Sequence, residues 1–519
     1  MKKLKYLPII IVFIYFLVGI GIYKDYGFSH DEQAERNKGK IYLKYVFQKI
    51  NLTQTHFYQK NLQELTNLHE FHDRYQGPVI NIFLACVEYI FKIQDTEYIF
   101  QVRHLFTFLL YFLGCLALYG LLKLKYPGQI GVQCIGLLFY ILTPRFFAEG
   151  FYNSKDVILY SFMMISIYFT YRYLKFNKNS DLVWLALSTA ICIDIRIIGI
   201  TLVPLTFALI GFSNGIKNVK KLTAQLSVYL FTLIALVLLF WPLMWERPLI
   251  YFYEAFQTMR QIFWGGKVLY LGNYYQIPSD QFPWHYVFVW IGVTMPIVVF
   301  SLGIFKLLHF FGTLFKLKTW NYDHSFDSFL IILFALPIFS VIFLNAIIYD
   351  SWRHLYYVYA PLLVLGIGGF DTIQSLVSTN IRLKQLVFGA VLANCLLLFV
   401  NIVQMHPYQN VYFNVLAGKN IRHTFEMDYW RLSYAKALNY IAKTDTSKQI
   451  RVFINGNKDV LLISPKWVRE KISIDPDTLL ESKYFVTNYR YHHEDYPYKN
   501  EIFAVYAGDL KITSVFKLY

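Results

Sequence analysis

The sequence predicts a polytopic α-helical membrane protein with a small extracytoplasmic α/β domain at its C-terminal end. The chain is 56% hydrophobic and only 16% charged, whereas soluble proteins carry about 25% charged residues. Its apolar runs approach the length of about 20 residues with which a helix crosses a bilayer. From about residue 405 the sequence becomes polar and contains short strand-like runs.

The predicted spans begin with the apolar stretch 7–23. It follows the basic start Met1-Lys2-Lys3-Leu4-Lys5 and has no small-residue cleavage site before Asp25, so we predict a retained signal anchor with a cytoplasmic N-terminus. Region 182–212 is predicted as a hairpin with Arg196 near its outer tip, because one helix of that length would be about 45 Å long. About eleven transmembrane helices are expected, the others at 103–122, 129–143, 157–171, 225–243, 286–308, 328–347, 355–371 and 385–404.

The basic residues predict the orientation of these helices. The net charge is +16, but Lys and Arg fall in short loops between spans, which is the positive-inside pattern and not a nucleic-acid stripe. The predicted cytoplasmic clusters are Lys123 and Lys125; Arg172, Lys175 and Lys178; Lys217, Lys220 and Lys221; Lys306, Lys316 and Lys318; and Arg382 and Lys384. Segments 24–100, 144–156, 244–285, 348–354 and the tail then lie outside. We therefore predict a membrane domain at 1–404, an extracytoplasmic domain at 405–519, and activity at the outer face of a bacterial cytoplasmic membrane.

Several elements are predicted outside the membrane. Helical spacing at 31–50 and a short apolar run at 78–93 indicate two interfacial or re-entrant helices in the outer loop 24–100. The tail offers a helix at about 433–443 and strands at Ile450–Ile454, Tyr484–Thr487 and Ile502–Tyr506. The cysteines match neither a disulfide framework nor a zinc site, so they are interpreted as packing thiols; they are Cys86, Cys115, Cys134, Cys192 and Cys395.

The first candidate site is the run Ser29-His30-Asp31-Glu32. Ser29 with Glu32 three residues later fits a capping box, and Glu32 is spaced to pair with Arg36. These structural roles explain Glu32 but not Asp31, which either interacts favourably with the helix dipole or acts on a ligand. Because a carboxylate beside a bilayer is costly unless it binds or reacts, we favour a functional Asp31.

Cations gather at the same outer level. Lys155 and Asp156 follow Asn153, which could cap the next helix. The alternative is an anion site formed by the N-terminus of that helix with Lys155 beside it. Arg353 is followed by His354, and a guanidinium can hold a phosphate through two hydrogen bonds. Arg103 and Arg196 are placed at this level too. For each arginine the alternative is an ion pair with a nearby carboxylate.

Two further groups allow more than one interpretation. The Trp-rich loop 241–285 fits an interfacial belt or a platform for sugar rings. His69, His72 and Asp73 form a candidate metal cluster, although solitary histidines in loops usually have no such role. The sequence has no phosphate-binding P-loop and no nucleotide fingerprint, which argues against an ATP-driven pump.

The order of these elements resembles the GT-C membrane glycosyltransferases, in particular the family 39-type branch with protein O-mannosyltransferases and the lipid A aminoarabinose transferase. The layout of residues 7–404 carries the resemblance, which is most specific over 29–200. Its motifs are the outer acidic pair, Tyr75-Gln76-Gly77-Pro78, Arg103, Asn153-Ser154-Lys155-Asp156 and Trp352-Arg353-His354. The tail departs from the family, since it lacks a large sugar-binding repeat domain.

The resemblance implies a polyprenyl-phosphate-linked sugar as donor and a lipid, glycan or protein as acceptor. Asp31 matches the catalytic carboxylate and is expected to act as base in an inverting transfer. Asp156 matches a second acidic position that helps to hold a metal or the acceptor, so Asp156 and His72 are candidate ligands of a divalent ion. Lys155, Arg103, Arg196, Arg353 and His354 are the expected phosphate-binding residues.

Two other functions are compatible with many spans and outer charges. A transporter or lipid flippase would show inverted repeats and broken helices that face a midplane site, neither of which the sequence indicates, and the charges of this chain cluster at one face instead. A catalytically silent assembly partner of the same fold would not need Asp31, Asp156 and the cations together. Both alternatives are separated from an enzyme by sugar transfer that depends on Asp31.

Overall fold

The computed structural model describes residues 4–214, 218–260, 264–314, 320–456, 458–474 and 479–519. Lys217, Lys316 and Lys318 of the predicted cytoplasmic clusters lie outside these ranges. The chain forms a large helical body followed by a tail that contains a β-sheet. The helices of the first part are α1 Leu7–Ile22, α2 Glu32–Lys49, α3 His56–Asn61, α4 Val79–Ile90, α5 Thr96–Lys125, α6 Ile130–Ile141, α7 Pro144–Tyr152, α8 Asp156–Phe176, α9 Asn179–Ile195, α10 Leu202–Asn214, α11 Val219–Phe240, α12 Pro248–Arg260, α13 Tyr286–Thr294, α14 Ile297–Leu314, α15 Tyr322–Phe343, α16 Tyr359–Leu376 and α17 Ile381–Met405.

The predicted polytopic helical fold is confirmed, with fewer spans than expected. Among the described residues, nine helices are long and apolar enough to cross a membrane, and ten if the bent pair α6–α7 counts as one span. The nine are Leu4–Ile22, Thr96–Lys125, Asp156–Phe176, Ile197–Asn214, Val219–Phe240, Ile297–Leu314, Tyr322–Phe343, Arg353–Leu376 and Ile381–Met405. The predicted span 182–195 became α9, whose 17 residues fall short of that set.

One predicted span is broken at a proline, and another is followed by a bend at a proline. The span predicted at 129–143 is the 12-residue helix α6, after which α7 starts at Pro144 with a bend of 59°. The span predicted at 286–308 divides into α13 and α14 on either side of Pro296. Proline disfavours helical backbone at the residue before it, which explains the break and the bend.

The predicted hairpin in 182–212 is present. Helix α9 ends at Ile195, Arg196 is extended, and a 3-10 helix at Ile197–Thr201 leads into α10. A Cβ on Gly199 would lie 2.5 Å from the carbonyl carbon of Cys192, so the returning chain comes too close for a side chain there.

The two helices predicted in the loop 24–100 are also present, as α2 and α4. Gly39 of α2 lets the two helices approach, since a Cβ at this position would lie 2.2 Å from the carbonyl oxygen of Asn81 in α4. In the second outer loop α12 is followed by an antiparallel hairpin, β1 Lys267–Tyr270 and β2 Asn273–Gln276. Trp241 is buried, whereas Trp284 is exposed, so the tryptophans of this loop do not share one role.

The tail is the predicted small α/β domain. Its elements are α18 Ile421–Thr424, α19 Tyr434–Thr444, β3 Ile450–Ile454, α20 Lys466–Lys471, β4 Ile472–Ile474, β5 Tyr484–Thr487, β6 Glu501–Ala507 and β7 Leu510–Lys517. The sheet has the order β4-β3-β5-β7-β6, with β3 parallel to β4 and β5 and the other pairs antiparallel. The apolar faces of α19 and β3 share a core around Leu438 and Val452.

Candidate active site

Asp31 lies immediately before α2 and faces the helical body. Within the described chain, its side chain makes no hydrogen bond to the start of the helix. Its Oδ2 atom is 3.3 Å from Nη1 of Arg353, and its Oδ1 atom is 3.2 Å from the hydroxyl of Tyr429. The side chain is still 37% exposed. Asp31 is therefore held in place and open to a ligand at once.

Glu32 has a structural role, but one that differs from the prediction. The backbone N–H of Ser29 donates to Glu32 Oε2 at 2.7 Å, which is half of the predicted capping box. The N-cap position belongs to Asp31, however, and not to Ser29. The predicted pair of Glu32 with Arg36 is wrong, because Glu32 lies 2.9 Å from Nε2 of the buried His104.

Arg353 joins two carboxylates from distant parts of the chain. Its Nη1 atom lies 3.3 Å from Asp31 and 3.5 Å from Oδ2 of Asp156. Asp156 opens α8, where its N–H donates to Asn153 Oδ1 at 2.8 Å, although the N-cap position belongs to Lys155 and not to Asn153. Its Oδ1 atom accepts a 2.5 Å bond from Nη2 of Arg196. With 1% of its side chain exposed, Asp156 is a buried anchor for two guanidinium groups.

The turn before Arg353 fixes where that side chain starts. Asp350 and Ser351 both have positive φ, 55° and 65°, a conformation that residues with a side chain rarely adopt. Trp352 is fully buried and donates its indole N–H to Thr294 at 2.9 Å. A strained turn and a buried ring thus place the guanidinium between the carboxylates.

Lys155 adds a further cation from the segment before α8. Its ammonium donates to the side chain of Gln76, in the Tyr75–Pro78 element, and lies 3.6 Å from Glu35. Burial and then the positive charge of Lys38 lower the pKa of Lys155 to about 8. Lys155 therefore carries a charge that it loses in weakly alkaline solution.

The remaining predicted residues have other contacts. Arg103 pairs with Glu88 at 3.0 Å, which is the ion-pair alternative. His354 is half-buried next to Arg353, edge-on to the ring of Tyr349 at 4.6 Å. His72 is 82% exposed and 3.6 Å from Asp73.

The described residues do not fit a metal centre. In the described ranges no group of three His, Cys, Asp or Glu side chains is placed to hold a metal ion. His69 pairs with Glu246 at 3.4 Å and is not grouped with His72. Asp156, the other candidate ligand, contacts two arginines. Dependence on a divalent ion stays a prediction, and no chemical step is assigned to one here.

The tail closes the site on one side. Arg490 donates to Asp350 at 2.6 Å, next to the strained turn. Burial raises the pKa of Asp350, and burial raises that of Glu426 to about 7. The cavity between tail and helical body has a volume of about 20 Å³, room for a water molecule but not for a sugar ring.

The charges of the cluster favour an anion. Arg196 and Arg353 pair with the carboxylates of Asp31 and Asp156, and Lys155, 3.6 Å from Glu35, adds a positive charge beside them. Guanidinium and ammonium groups fixed in a poorly hydrated site stabilise a developing phosphate charge strongly. Sequence reasoning missed Tyr429 as part of this group. The only signal available was that the polar segment around Tyr429 carries adjacent aromatic rings.

Comparison with known proteins supports the predicted relationship. Residues 75–245 match the family model described as dolichyl-phosphate-mannose-protein mannosyltransferase. This match includes the Tyr75 element, Lys155, Asp156 and Arg196, but it covers less than half of the chain. No curated protein sequence matches the chain.

Solved structures match over the whole chain. ArnT from Cupriavidus metallidurans in the apo state has a TM-score of 0.52 at 10% identity, covering 99% of this chain and 98% of that one. ArnT bound to undecaprenyl phosphate has a TM-score of 0.50 at 10% identity with the same coverage. The apo oligosaccharyltransferase of Archaeoglobus fulgidus has a TM-score of 0.48, too low to argue a shared fold; it is 9% identical and covers 92% of this chain and 65% of that one. The chain thus has the fold of ArnT, a GT-C glycosyltransferase, and its predicted resemblance to these enzymes is confirmed.

Proposed function

We propose that this protein is a membrane glycosyltransferase that moves a sugar from a polyprenyl-phosphate-linked donor to an acceptor hydroxyl at the extracytoplasmic face. One observation carries the proposal: Arg353 bridges Asp31 and Asp156 within a cation cluster, while Asp31 remains open to a ligand. A partly exposed carboxylate beside fixed cations suits a reaction in which a hydroxyl is deprotonated and a phosphate leaves.

The choice of donor rests on charge and on the relatives. Two guanidinium groups and one ammonium group near Asp31 and Asp156 suit the single phosphate of a lipid-linked sugar, because cations form strong charge-assisted hydrogen bonds to phosphate oxygens. One relative with the same fold holds undecaprenyl phosphate, and the matching family model is named for dolichyl-phosphate mannose. The long lipid tail would lie along the apolar helices next to the site.

The proposed reaction is a single displacement that inverts the anomeric carbon. Asp31 takes the proton of the acceptor hydroxyl, and the oxygen forms a bond to that carbon. The bond from the carbon to the phosphate oxygen breaks, and its electron pair stays on the lipid phosphate. Arg353, Arg196 and Lys155 stabilise this charge, with His354 beside them. Asp156 positions the two arginines, since both of its oxygens already accept from them.

The experiment is sugar transfer by the purified protein in lipid. The donor probe is polyprenyl phosphate carrying radiolabelled mannose, followed by a panel of other sugars, with extracted cell-envelope material as acceptor. Asp31→Asn should lower the transfer rate by about 10²- to 10⁴-fold, because general-base catalysis contributes on this scale. Asp25→Asn is the matched control: this residue precedes Asp31 in the same loop, is 48% exposed and pairs with His406.

The outcomes separate the three candidate functions. Loss of transfer in Asp31→Asn with a normal Asp25→Asn supports the enzyme. Full transfer by Asp31→Asn would refute the assignment of the base. A wild-type protein that moves intact lipid across vesicles but transfers no sugar would be a flippase, and one that does neither would be an assembly partner. The same assay with a chelator checks the predicted divalent ion.

A further inference from the structure

Tyr429 links the tail to the proposed base. Its hydroxyl lies 3.2 Å from Oδ1 and 3.3 Å from Oδ2 of Asp31, to which it donates its one proton. The same oxygen accepts a 2.9 Å hydrogen bond from Nη2 of Arg353. Because Arg353 Nη1 also contacts Asp31, carboxylate, guanidinium and phenol form a closed triangle.

The ring of Tyr429 is fixed independently of its hydroxyl. The guanidinium carbons of Arg353 and Arg490 lie 4.4 Å and 4.5 Å from its centre, so the ring stacks against two cations. Arg490 is itself tied to Asp350. Tyr429 is half-buried, and contact of its ring with two guanidinium groups leaves its hydroxyl little freedom to turn away.

The backbone around Tyr429 is attached to both parts of the molecule. The carbonyl of Trp430 accepts the N–H of His30 at 3.1 Å, next to Asp31. The carbonyl of Asp428 accepts a 2.7 Å bond from the Asn488 side chain of the tail domain. The segment 428–430 is therefore the point at which the tail domain meets the loop that carries the base.

We propose that Tyr429 is a positioning residue through which the tail domain completes the active site. Its hydroxyl occupies one donor of Arg353 and orients the Asp31 carboxylate, so that one oxygen stays directed toward the exposed side. Without it, Arg353 and Asp31 are free to form a closer pair, which would mask the base. The inference rests on the proposed function, because it assigns Tyr429 a role through Asp31.

The test compares Tyr429→Phe with Tyr434→Phe in the transfer assay with polyprenyl-phosphate mannose or the panel sugar that wild type uses. Phenylalanine keeps the ring between the guanidinium groups and removes only the hydroxyl. Tyr434 is the matched control: it is buried in the same domain, and its hydroxyl donates to the Asn455 carbonyl at 3.0 Å. We expect Tyr429→Phe to lower kcat by about 10- to 100-fold, the scale of a lost hydrogen bond to a charged group, with KM for the donor and the melting temperature unchanged.

A double variant distinguishes positioning from a structural role. If Tyr429 acts through Asp31, adding Tyr429→Phe to Asp31→Asn should change the residual rate by less than about 2-fold. The inference is overturned if Tyr429→Phe keeps wild-type kcat while Asp31→Asn has lost it, or if Tyr429→Phe lowers the rate equally in both backgrounds. Should Asp31→Asn itself keep full transfer, the proposed function fails first and the role of Tyr429 with it.

Discussion

Lys155 is the cation of the site whose charge changes closest to neutral pH. Its pKa is lowered from 10.5 to about 8, first by burial, so the ammonium is charged below that pH and neutral above it. If it stabilises the leaving phosphate, transfer should fall as the pH rises through about 8. We expect this alkaline limb in the pH profile of kcat for the wild-type enzyme.

The control for this prediction is a cation that does not titrate. Lys155→Arg should keep the charge at every accessible pH, so the alkaline limb should move to higher pH even if the maximal rate is lower. Lys155→Met should lose about 10²-fold in kcat, the scale of one removed donor at a developing anion. If the alkaline limb of Lys155→Arg lies at the same pH as that of the wild type, the limb reports the titration of another group.

At this scale the sequence identified residues better than their partners. The hydropathy pattern placed five residues at one membrane level, and the structure brings them close together: Asp31, Lys155, Asp156, Arg196 and Arg353. Arg103 was placed at that level by the same reasoning but pairs with Glu88. The membrane level of a residue does not determine the direction in which its side chain points. The contact of Tyr429 with Asp31 joins residues 398 positions apart, which no local pattern could indicate.

The packing of α2 against α4 depends on one position without a side chain. In Gly39→Ala the new Cβ would lie 2.2 Å from the Asn81 carbonyl oxygen, so the two helices must separate. Overpacking of this kind costs about 1–3 kcal/mol, whereas alanine gains only about 1 kcal/mol in helix propensity. We expect a lower melting temperature in detergent. Gly389→Ala in α17 is the control, because no described atom lies within 4 Å of the added Cβ, and it should not lower the melting temperature.

The elements were predictable where hydropathy alone decides them. Helices α2 and α4, the break at Arg196 and the strands β3 and β5 follow the sequence closely. The span at 286–308 is wrong, because its apolar run continues through Pro296. The helices at 129–143 and 182–195 are present but short, and the first ends just before a bend at Pro144. A hydropathy profile reports the polarity of side chains and not the conformation of the backbone. A bend at Pro144 or Pro296 therefore leaves the profile unchanged. The proline itself was the usable signal.

The whole molecule is predicted to place its tail and its basic loops on opposite sides of the membrane. Thr379 lies before α17 and Asn500 lies in the tail after it, and both are exposed. In intact cells a membrane-impermeant maleimide should label Asn500→Cys, whereas Thr379→Cys should be labelled only after permeabilisation. The wild type gives the background, since Cys86 is half-buried and the other cysteines are buried. Labelling of Thr379→Cys alone in intact cells would reverse the proposed orientation.

The fold of the whole could be predicted further than the identity of its substrates. Composition predicts a membrane bundle and the positive-inside loops predict its orientation, because both patterns reflect the lipid environment. The sugar and the acceptor depend on the shape of the space above Asp31, to which α2, the turn at Asp350 and the tail all contribute. That shape arises from packing between segments far apart in the chain, which periodicity does not encode.

The triangle of Asp31, Arg353 and Tyr429 has a consequence for how the protein is made. Its members are separated by 322 residues from Asp31 to Arg353 and by 398 residues from Asp31 to Tyr429. A growing chain inserts its helices in order, so the base reaches its membrane level long before the groups that orient it. No nascent chain shorter than residue 429 can contain the complete triangle. The biosynthetic order thus keeps an unfinished protein from holding the full site until nearly all of its helices have been inserted.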